Sequence, residues 1–291
     1  HFDISEQQAA LFFDGNIDAG IPASFAILTD TSIEDGEILA AHSFNNAMHG
    51  TAQIRGESVI TTYRSEDITS VLPNYVEQLH IHGDHFHQEQ RFAVDCPALH
   101  GSAQNHQHIA FGCSDGVLVI TEKGGVFNAA KVANLNSFAE GTRIGTIKAS
   151  EHSELFLGIA QSKLFYTIDP ASAEMTQLAW QQNTENTVLA SALDRITGEF
   201  YVLESDGFLS VLHAEDDWQV SARFKVLENP AGNYALAASA ADDTLYISDA
   251  NNQTVLSIDT HEQTTKTILN LDFIPNQITW LGIAAESKHE H

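Results

Sequence analysis

The sequence predicts an all-β protein, namely a β-propeller with six visible four-stranded repeats. Short runs of β-branched and aromatic residues repeatedly meet a tight turn of Asp, Asn or Gly, which is the pattern of strand, turn and strand. The clearest examples are ALFFDGN at 10–16, AFGCSDGVLVIT at 110–121, FYVLESDGFLSVL at 200–212 and LYISDANNQTVLSID at 245–259. The repeats start about 45 to 52 residues apart, which is the length of one propeller blade. Helical periodicity is weak, and a β-sandwich would not repeat one internal pattern at this spacing.

Two further repeats and the two ends of the chain complete the predicted propeller. The repeats are SVITTYRSED at 58–67 and LFLGIAQSKLFYTID at 155–169, and a last strand is predicted from NQITWLGIAAES at 276–287. Such a strand usually completes the first blade, yet the first repeat has its own innermost strand in HFDISEQ. We therefore expect one propeller domain over 1–291, with seven or eight blades if residues before His1 are missing. Because His1 is not an initiator Met, either a signal peptide has been removed or upstream residues are absent.

Composition and charge exclude several classes of partner. The 291 residues are 43% hydrophobic, and 13 Lys and Arg stand against 39 Asp and Glu, for a net charge of −26. This field repels phosphate backbones and anionic lipids, because nucleic-acid affinity depends on cationic side chains. No apolar run approaches the roughly 18 residues of a membrane span. We expect no nucleic-acid binding and no membrane insertion, whereas metal cations are favoured.

The two cysteines lie on either side of a predicted hairpin. LHGSAQ and HIAFGC flank the turn NHQ, and pairing around this turn places residue 99 near Cys113. Cys96 is then about three residues away along the ladder, within reach through a bulge or a register shift. The two thiols are either buried and free, or they form a Cys96–Cys113 disulfide. A disulfide would indicate an oxidising compartment.

Three histidines recur at the same place in the first three repeats. His1, His49 and His100 each precede the first hairpin of a repeat, at spacings of 48 and 51 residues. Because the opening strand of a blade lines the central channel, these imidazoles are predicted to converge at one end of it. Three imidazoles with a carboxylate or water form a typical Zn²⁺ site. The alternative is that they only fill the channel as hydrogen-bonded polar groups.

A second cluster is compact in sequence. Residues 80–87 read HIHGDHFH, and the candidate ligands are His80, His82, Asp84, His85 and His87. Four imidazoles and a carboxylate this close bind transition metals even in a flexible chain. We expect a His-rich inter-strand loop at 78–90 with a weaker zinc site, or else a polar edge strand that blocks aggregation. The tail at 286–291 ends in KHEH and is a third, weaker candidate.

The first repeats resemble a known family. The segments CPALHGSAQNHQHIAFGCSDGVLVIT, MHGTAQIRGESVITTY and HFDISEQQAALFFDGN look like those of AztD-type periplasmic zinc metallochaperones. The resemblance implies a propeller that passes Zn²⁺ to the substrate-binding protein of a zinc ABC importer, and we expect it to be a monomer. It also implies that His1, His49 and His100 form the tight site. The segment ENPAGNYALAASAADD at 228–243 departs from the His- and Asp-rich stretch expected there, which leaves the fourth ligand unassigned.

Enzymatic functions receive less support from the sequence. It contains no nucleophile elbow, zincin helix or phosphate-binding glycine loop. A propeller hydrolase with a channel-bound metal, similar to a lactonase, is the first alternative. The second alternative is a metal-free propeller that docks other proteins. We predict a zinc carrier without catalytic residues.

Overall fold

The computed structural model describes residues 2–3 and 8–282. Over these residues the chain forms six four-stranded sheets, and in each sheet the strands are hydrogen-bonded in chain order. The pairs are antiparallel, as expected for strands joined by tight turns. Helical structure in this part of the chain consists of α1 Asp30–Asp35 and a 3₁₀-helix at Ala214–Asp216. The predicted all-β class and the six four-stranded repeats are confirmed.

The first three sheets are consecutive in the chain. The first contains β1 Phe2–Asp3, β2 Gln8–Phe13, β3 Ser24–Thr29 and β4 Ala40–Ser43. The second contains β5 Ala52–Arg55, β6 Ser58–Tyr63, β7 Tyr75–His82 and β8 His85–Arg91. The third contains β9 Ser102–Gln104, β10 His108–Gly112, β11 Gly116–Lys123 and β12 Val126–Ala133.

The last three sheets repeat this order. The fourth contains β13 Thr146–Lys148, β14 Phe156–Ala160, β15 Leu164–Asp169 and β16 Glu174–Gln177. The fifth contains β17 Val188–Leu193, β18 Glu199–Glu204, β19 Phe208–His213 and β20 Gln219–Lys225. The sixth contains β21 Tyr234–Ala238, β22 Thr244–Asp249, β23 Thr254–Asp259 and β24 Thr264–Asn270.

The glycines in the Asp-Gly turns, from which the strands were predicted, are required for steric reasons. Gly15 has a φ of +72°, and a Cβ there would lie 2.3 Å from the carbonyl oxygen of Ile21. Gly207 has a φ of +84°, and a Cβ there would lie 2.0 Å from the carbonyl oxygen of Leu227. Only glycine combines this left-handed conformation with such a close backbone approach. These turns therefore fix where β2 and β18 end.

The chain divides into two compact units. One comprises 1–149, 156–161 and 168–176, and the other comprises 150–155, 162–167 and 177–291. Apolar clusters form around Phe111 and around Phe25 in the first unit and around Leu245 in the second. The expected single domain over 1–291 stays a prediction.

The disulfide is confirmed in the core of the first unit. Cys96 and Cys113 are bonded, with their Cα atoms 4.9 Å apart, and both side chains are fully buried. The hairpin register differs by one residue from the prediction, because Gln104 pairs with Ile109 across a four-residue turn in which Asn105 N donates to His108 O. Residue 100 rather than residue 99 is then level with Cys113. The free-thiol alternative is wrong.

Two sequence predictions about secondary structure are wrong. The predicted loop at 78–90 belongs to β7 and β8, which are joined by the two-residue turn Gly83–Asp84. The polar residues of β8 lie on the edge strand of the second sheet, so the alternative of a polar edge strand describes this segment and the loop does not. Residues 276–282, predicted as part of a last strand, contain no strand. The rest of that prediction and the tail at 286–291 lie outside the described residues.

Candidate metal centre

The structure brings together two of the three histidines that share a repeat position. The rings of His49 and His100 have centroids 5.2 Å apart and planes inclined by 34°. His49 precedes β5 and His100 precedes β9, so the blade-length spacing predicted from sequence places both at corresponding points of neighbouring sheets. We call these two residues the central pair. His1, the third predicted member, lies outside the described residues.

A glycine follows each histidine of the central pair for steric reasons. A Cβ on Gly50 would lie 2.4 Å from Thr62 Oγ1 and 2.5 Å from Phe12 Cζ. Gly101 has a φ of +79°, and a Cβ there would lie 2.7 Å from the carbonyl oxygen of Gly145. The repeated His-Gly dipeptide is thus a signal for a close approach between segments as well as for a ligand.

The hydrogen bonds of the central pair determine which ring nitrogen remains available. His49 Nδ1 lies 2.7 Å from Asp14 Oδ2, and His100 Nδ1 lies 2.8 Å from the carbonyl oxygen of Gly145. An ionised carboxylate and a carbonyl only accept, so each Nδ1 carries the proton and donates it. Each neutral ring then has its lone pair on Nε2, the arrangement that metal-ligating histidines show. Nε2 is thus the nitrogen of each ring that is left available to a cation.

Asp14 is a functional candidate that the sequence analysis missed. It follows β2 in the segment FFDGN, where it was interpreted only as part of a turn. The backbone explains its position, because Met48 N donates to Asp14 O over 3.0 Å. This bond places the Asp14 side chain beside His49, the next residue. The sequence signal was the Asp that directly follows β2, in the repeat before the one that His49 opens.

The next repeat opening supports His100 without supplying a ligand. Gly145 accepts the His100 hydrogen bond, and Arg143 Nη1 donates to the Ala98 carbonyl over 2.9 Å. Both belong to the Arg-Ile-Gly segment that replaces His-Gly in the fourth repeat. The backbone before His100 is thereby fixed, which favours a preformed site.

A second cluster lies on the hairpin of β7 and β8. His82, His85 and His87 each offer a nitrogen within 4.8 Å of the others, and we call them the histidine trio. Their ring centroids are 5.0 to 5.7 Å apart. Three imidazoles at these distances fit a transition metal such as Zn²⁺. Among the described residues, a group of three or more His, Cys, Asp or Glu at metal-binding distances occurs only here.

The other two residues predicted for this cluster are neighbours of the trio but do not belong to its group of three. Asp84 Oδ1 lies 3.1 Å from His85 Nδ1, and this hydrogen bond holds the pKa of the Asp84 carboxyl below its usual range. Asp84 therefore orients His85 rather than joining the ligand group. His80 pairs with His87 across the strands but lies in a groove of about 810 Å³ that Glu57, Glu89 and other polar residues line.

The apolar face of the hairpin explains why the trio faces solvent. Ile81 and Phe86 alternate with the histidines and pack on the core of the first unit. The Phe86 ring lies 5.0 Å from Phe25 and 5.9 Å from His42, and burial lowers the pKa of His42. Since successive residues of a strand face opposite sides, anchoring Phe86 turns the trio outward. The cluster is held by a packed hairpin.

The net charge of −26 attracts cations to the protein and repels anions. At the trio the nearest acid, Asp84, is 94% exposed, so its field is screened by solvent. At the central pair, Asp14 and His49 are each about half exposed. Both clusters are accessible from outside the protein. Among the described residues, no helix is long and apolar enough to cross a membrane.

Comparison with known proteins identifies relatives of this fold. No protein-family model matches the chain. The chain is 23% identical over 300 residues to the zinc chaperone AztD of Citrobacter koseri, a match that spans 100% of this chain and 67% of the relative. A crystal structure of Citrobacter koseri AztD superposes with a TM-score of 0.76 at 19% identity, covering 98% of this chain and 74% of that chain.

Two further structures are similar. The apo form of Citrobacter koseri AztD has a TM-score of 0.75 at 19% identity, covering 96% of this chain and 74% of that chain. The β-propeller domain of Cps50 (Swd1) from Myceliophteria thermophila has a TM-score of 0.58 at 13% identity, covering 96% of this chain and 88% of that chain. The fold is therefore a β-propeller, and the predicted resemblance to AztD-type proteins is confirmed.

Proposed function

We propose that this protein is a periplasmic zinc metallochaperone, which carries Zn²⁺ as cargo and hands it to the substrate-binding protein of a zinc ABC importer. The observation that carries the proposal is the central pair, in which both Nδ1 atoms donate to fixed acceptors and both Nε2 atoms are left to bind metal. The similarity to a protein named zinc chaperone supports the same function.

The central pair forms the tight zinc site in this proposal, together with His1. Two imidazoles with fixed tautomers supply neutral nitrogen ligands of the type zinc prefers. The half-exposed His49 leaves one side of the site open to an incoming ligand. A carrier needs this combination, because it must hold the ion and also release it to another protein. A carboxylate or water completes the tetrahedral set.

The histidine trio forms a second, weaker site. Its three residues are exposed, so ligand exchange with water and with other proteins is rapid there. Asp84 helps to orient His85, and His80 and Asp84 remain outside the group of three that binds the ion. Its accessibility suits capture or relay of zinc toward the central pair.

Location and partner follow from further observations. The Cys96–Cys113 disulfide favours an oxidising compartment, which for a bacterial zinc carrier is the periplasm. The charge of −26 attracts cations and favours a partner with a basic docking patch. The relative is named a chaperone, so neither the metal-dependent hydrolase nor the metal-free interaction propeller is favoured.

Zinc titration in competition with a chelator of known affinity tests the proposal. Wild-type protein should bind one Zn²⁺ tightly and a second one weakly. His49→Ala or His100→Ala should weaken the tight site by a hundredfold or more, since each removes one of its few ligands. His261→Ala is the matched control, because His261 is exposed and belongs to neither cluster. If both central substitutions leave the tight affinity at the control value, the proposed site is wrong.

A further inference from the structure

A small hydrogen-bonded layer lies directly after the central pair in both segments. Thr51 Oγ1 lies 3.1 Å from Ser102 Oγ, and Gln53 Nε2 donates to the same Ser102 oxygen over 2.7 Å. Thr51 and Ser102 each stand two residues after a histidine of the central pair. The same 51-residue spacing that relates His49 to His100 therefore relates the two hydroxyls.

The direction of the Gln53 bond is fixed by its groups, whereas the bond between the two hydroxyls can run either way. The Gln53 amide nitrogen is only a donor, so Ser102 Oγ accepts from it. Ser102 Oγ also shares a hydrogen bond with Thr51 Oγ1, in which either hydroxyl is able to donate. Thr51 and Gln53 are 8% and 1% exposed, so breaking this chain would leave buried polar groups without partners. The layer is a hydrogen-bonded bridge centred on Ser102.

The bridge joins segments that no backbone ladder joins. β5 belongs to the second sheet and β9 to the third, so the separation of the two histidines is not set by main-chain hydrogen bonds between those strands. The second segment is also held by Arg143 and Gly145. Other hydrogen bonds, such as Leu99 N to Pro73 O and Arg55 Nη2 to Asn105 O, also tie the two repeats. Ser102 supplies the side-chain link between the segments directly after the two histidines.

We infer that Ser102 is a positioning residue for zinc, because its hydroxyl holds the segments of His49 and His100 at the separation that shared coordination needs. This inference rests on the zinc site proposed for the central pair. Outer residues that orient metal ligands typically change metal affinity by about 10- to 100-fold when replaced. Loss of the bridge is therefore expected to act on affinity and coordination geometry together.

The test compares substitutions that differ only in the hydroxyl. Ser102→Ala and the near-isosteric Thr51→Val should each weaken tight zinc binding about tenfold and change the visible absorption of bound Co²⁺, which reports coordination geometry. Ser102→Thr and Thr51→Ser keep the hydroxyl and should restore both properties. Ser58→Ala is the matched control, since buried Ser58 also accepts from a glutamine amide, that of Gln78, over 3.1 Å. The control should leave the tight site unchanged.

The outcomes separate this inference from the proposed function. His49→Ala is measured in parallel. If His49→Ala weakens binding but Ser102→Ala and Thr51→Val both match wild type in affinity and Co²⁺ spectrum, Ser102 has no positioning role. If His49→Ala itself changes nothing, the central site is wrong and the inference falls with it. A loss that Ser58→Ala reproduces, or that the hydroxyl-retaining variants do not restore, indicates general destabilisation and also overturns the positioning role.

Discussion

Removing the Asp14 carboxylate should weaken zinc binding at the central pair. Asp14 Oδ2 accepts from His49 Nδ1 over 2.7 Å, and this bond leaves the lone pair of the neutral ring on Nε2. A hydrogen bond to a charged group contributes about 1.5 to 3 kcal/mol. Because Asp14 and His49 are 49% and 52% exposed, solvent screening places the effect near the lower end. That corresponds to roughly a tenfold loss of affinity.

Two substitutions separate the charge from the hydrogen bond. Asp14→Ala removes both, whereas Asp14→Asn keeps an oxygen that accepts from Nδ1 but loses the charge. An asparagine amide is also able to donate to Nδ1, which would move the ring proton to Nε2 and block coordination. We therefore expect both variants to bind zinc more weakly than wild type, with Asp14→Ala losing about tenfold.

Competition titration with a chromophoric chelator at neutral pH measures this effect. Asp18→Asn is the control, since it removes an acidic charge from the same exposed turn region and leaves the His49 contact intact. The control should match wild type. Equal zinc affinities for Asp14→Ala and wild type would refute the assignment of Asp14 as the group that orients His49.

Three further predictions concern the trio, acid stability and the disulfide. Replacing all members of the histidine trio with Ala should remove the weaker zinc and leave the tight site intact, as equilibrium dialysis would show, whereas His80→Ala should retain both ions. Burial lowers the pKa of His42 in the folded protein below the value near 6.5 of the unfolded chain. The unfolded chain therefore takes up a proton first, and the free energy of unfolding decreases as the pH falls below about 6.5. His42→Phe should therefore reduce the difference between urea midpoints at pH 7 and pH 5, and an unchanged difference would contradict this role. Replacing Cys96 and Cys113 with Ala should lower the free energy of unfolding by about 3 kcal/mol, which urea titration measures against the oxidised wild type; a loss well under 1 kcal/mol would contradict it.

The propeller repeats were predictable because turn chemistry is local. Asp-Gly turns such as Asp14–Gly15 require glycine for their backbone conformation, and they recur at blade spacing. The proximity of His49 and His100 was predictable for a related reason, because the same position in successive blades lies in the same part of the fold. Repetition converts a sequence spacing into a spatial neighbourhood without any knowledge of side-chain contacts.

The errors arose where a residue's role depends on a partner distant in sequence. The polar run around His85 was predicted to be a loop, but Phe86 anchors the segment as a strand by packing on Phe25. Asp14 was interpreted as a turn residue because its bond to His49 joins positions 35 residues apart. The hairpin register differed by one residue because Asn105 caps the turn through its side chain, accepting from His108 N.

Zinc transfer between proteins tests the central claim most directly. Zinc-loaded protein is mixed in a stopped-flow instrument with the apo form of a periplasmic zinc-binding protein from the importer, and the rate is compared with release to a chelator. Direct handover through the open side of the central pair predicts that transfer to the acceptor is faster than unassisted dissociation and rises with acceptor concentration. A transfer rate equal to the rate of release to the chelator, and independent of acceptor concentration, would contradict the account and leave only passive zinc buffering.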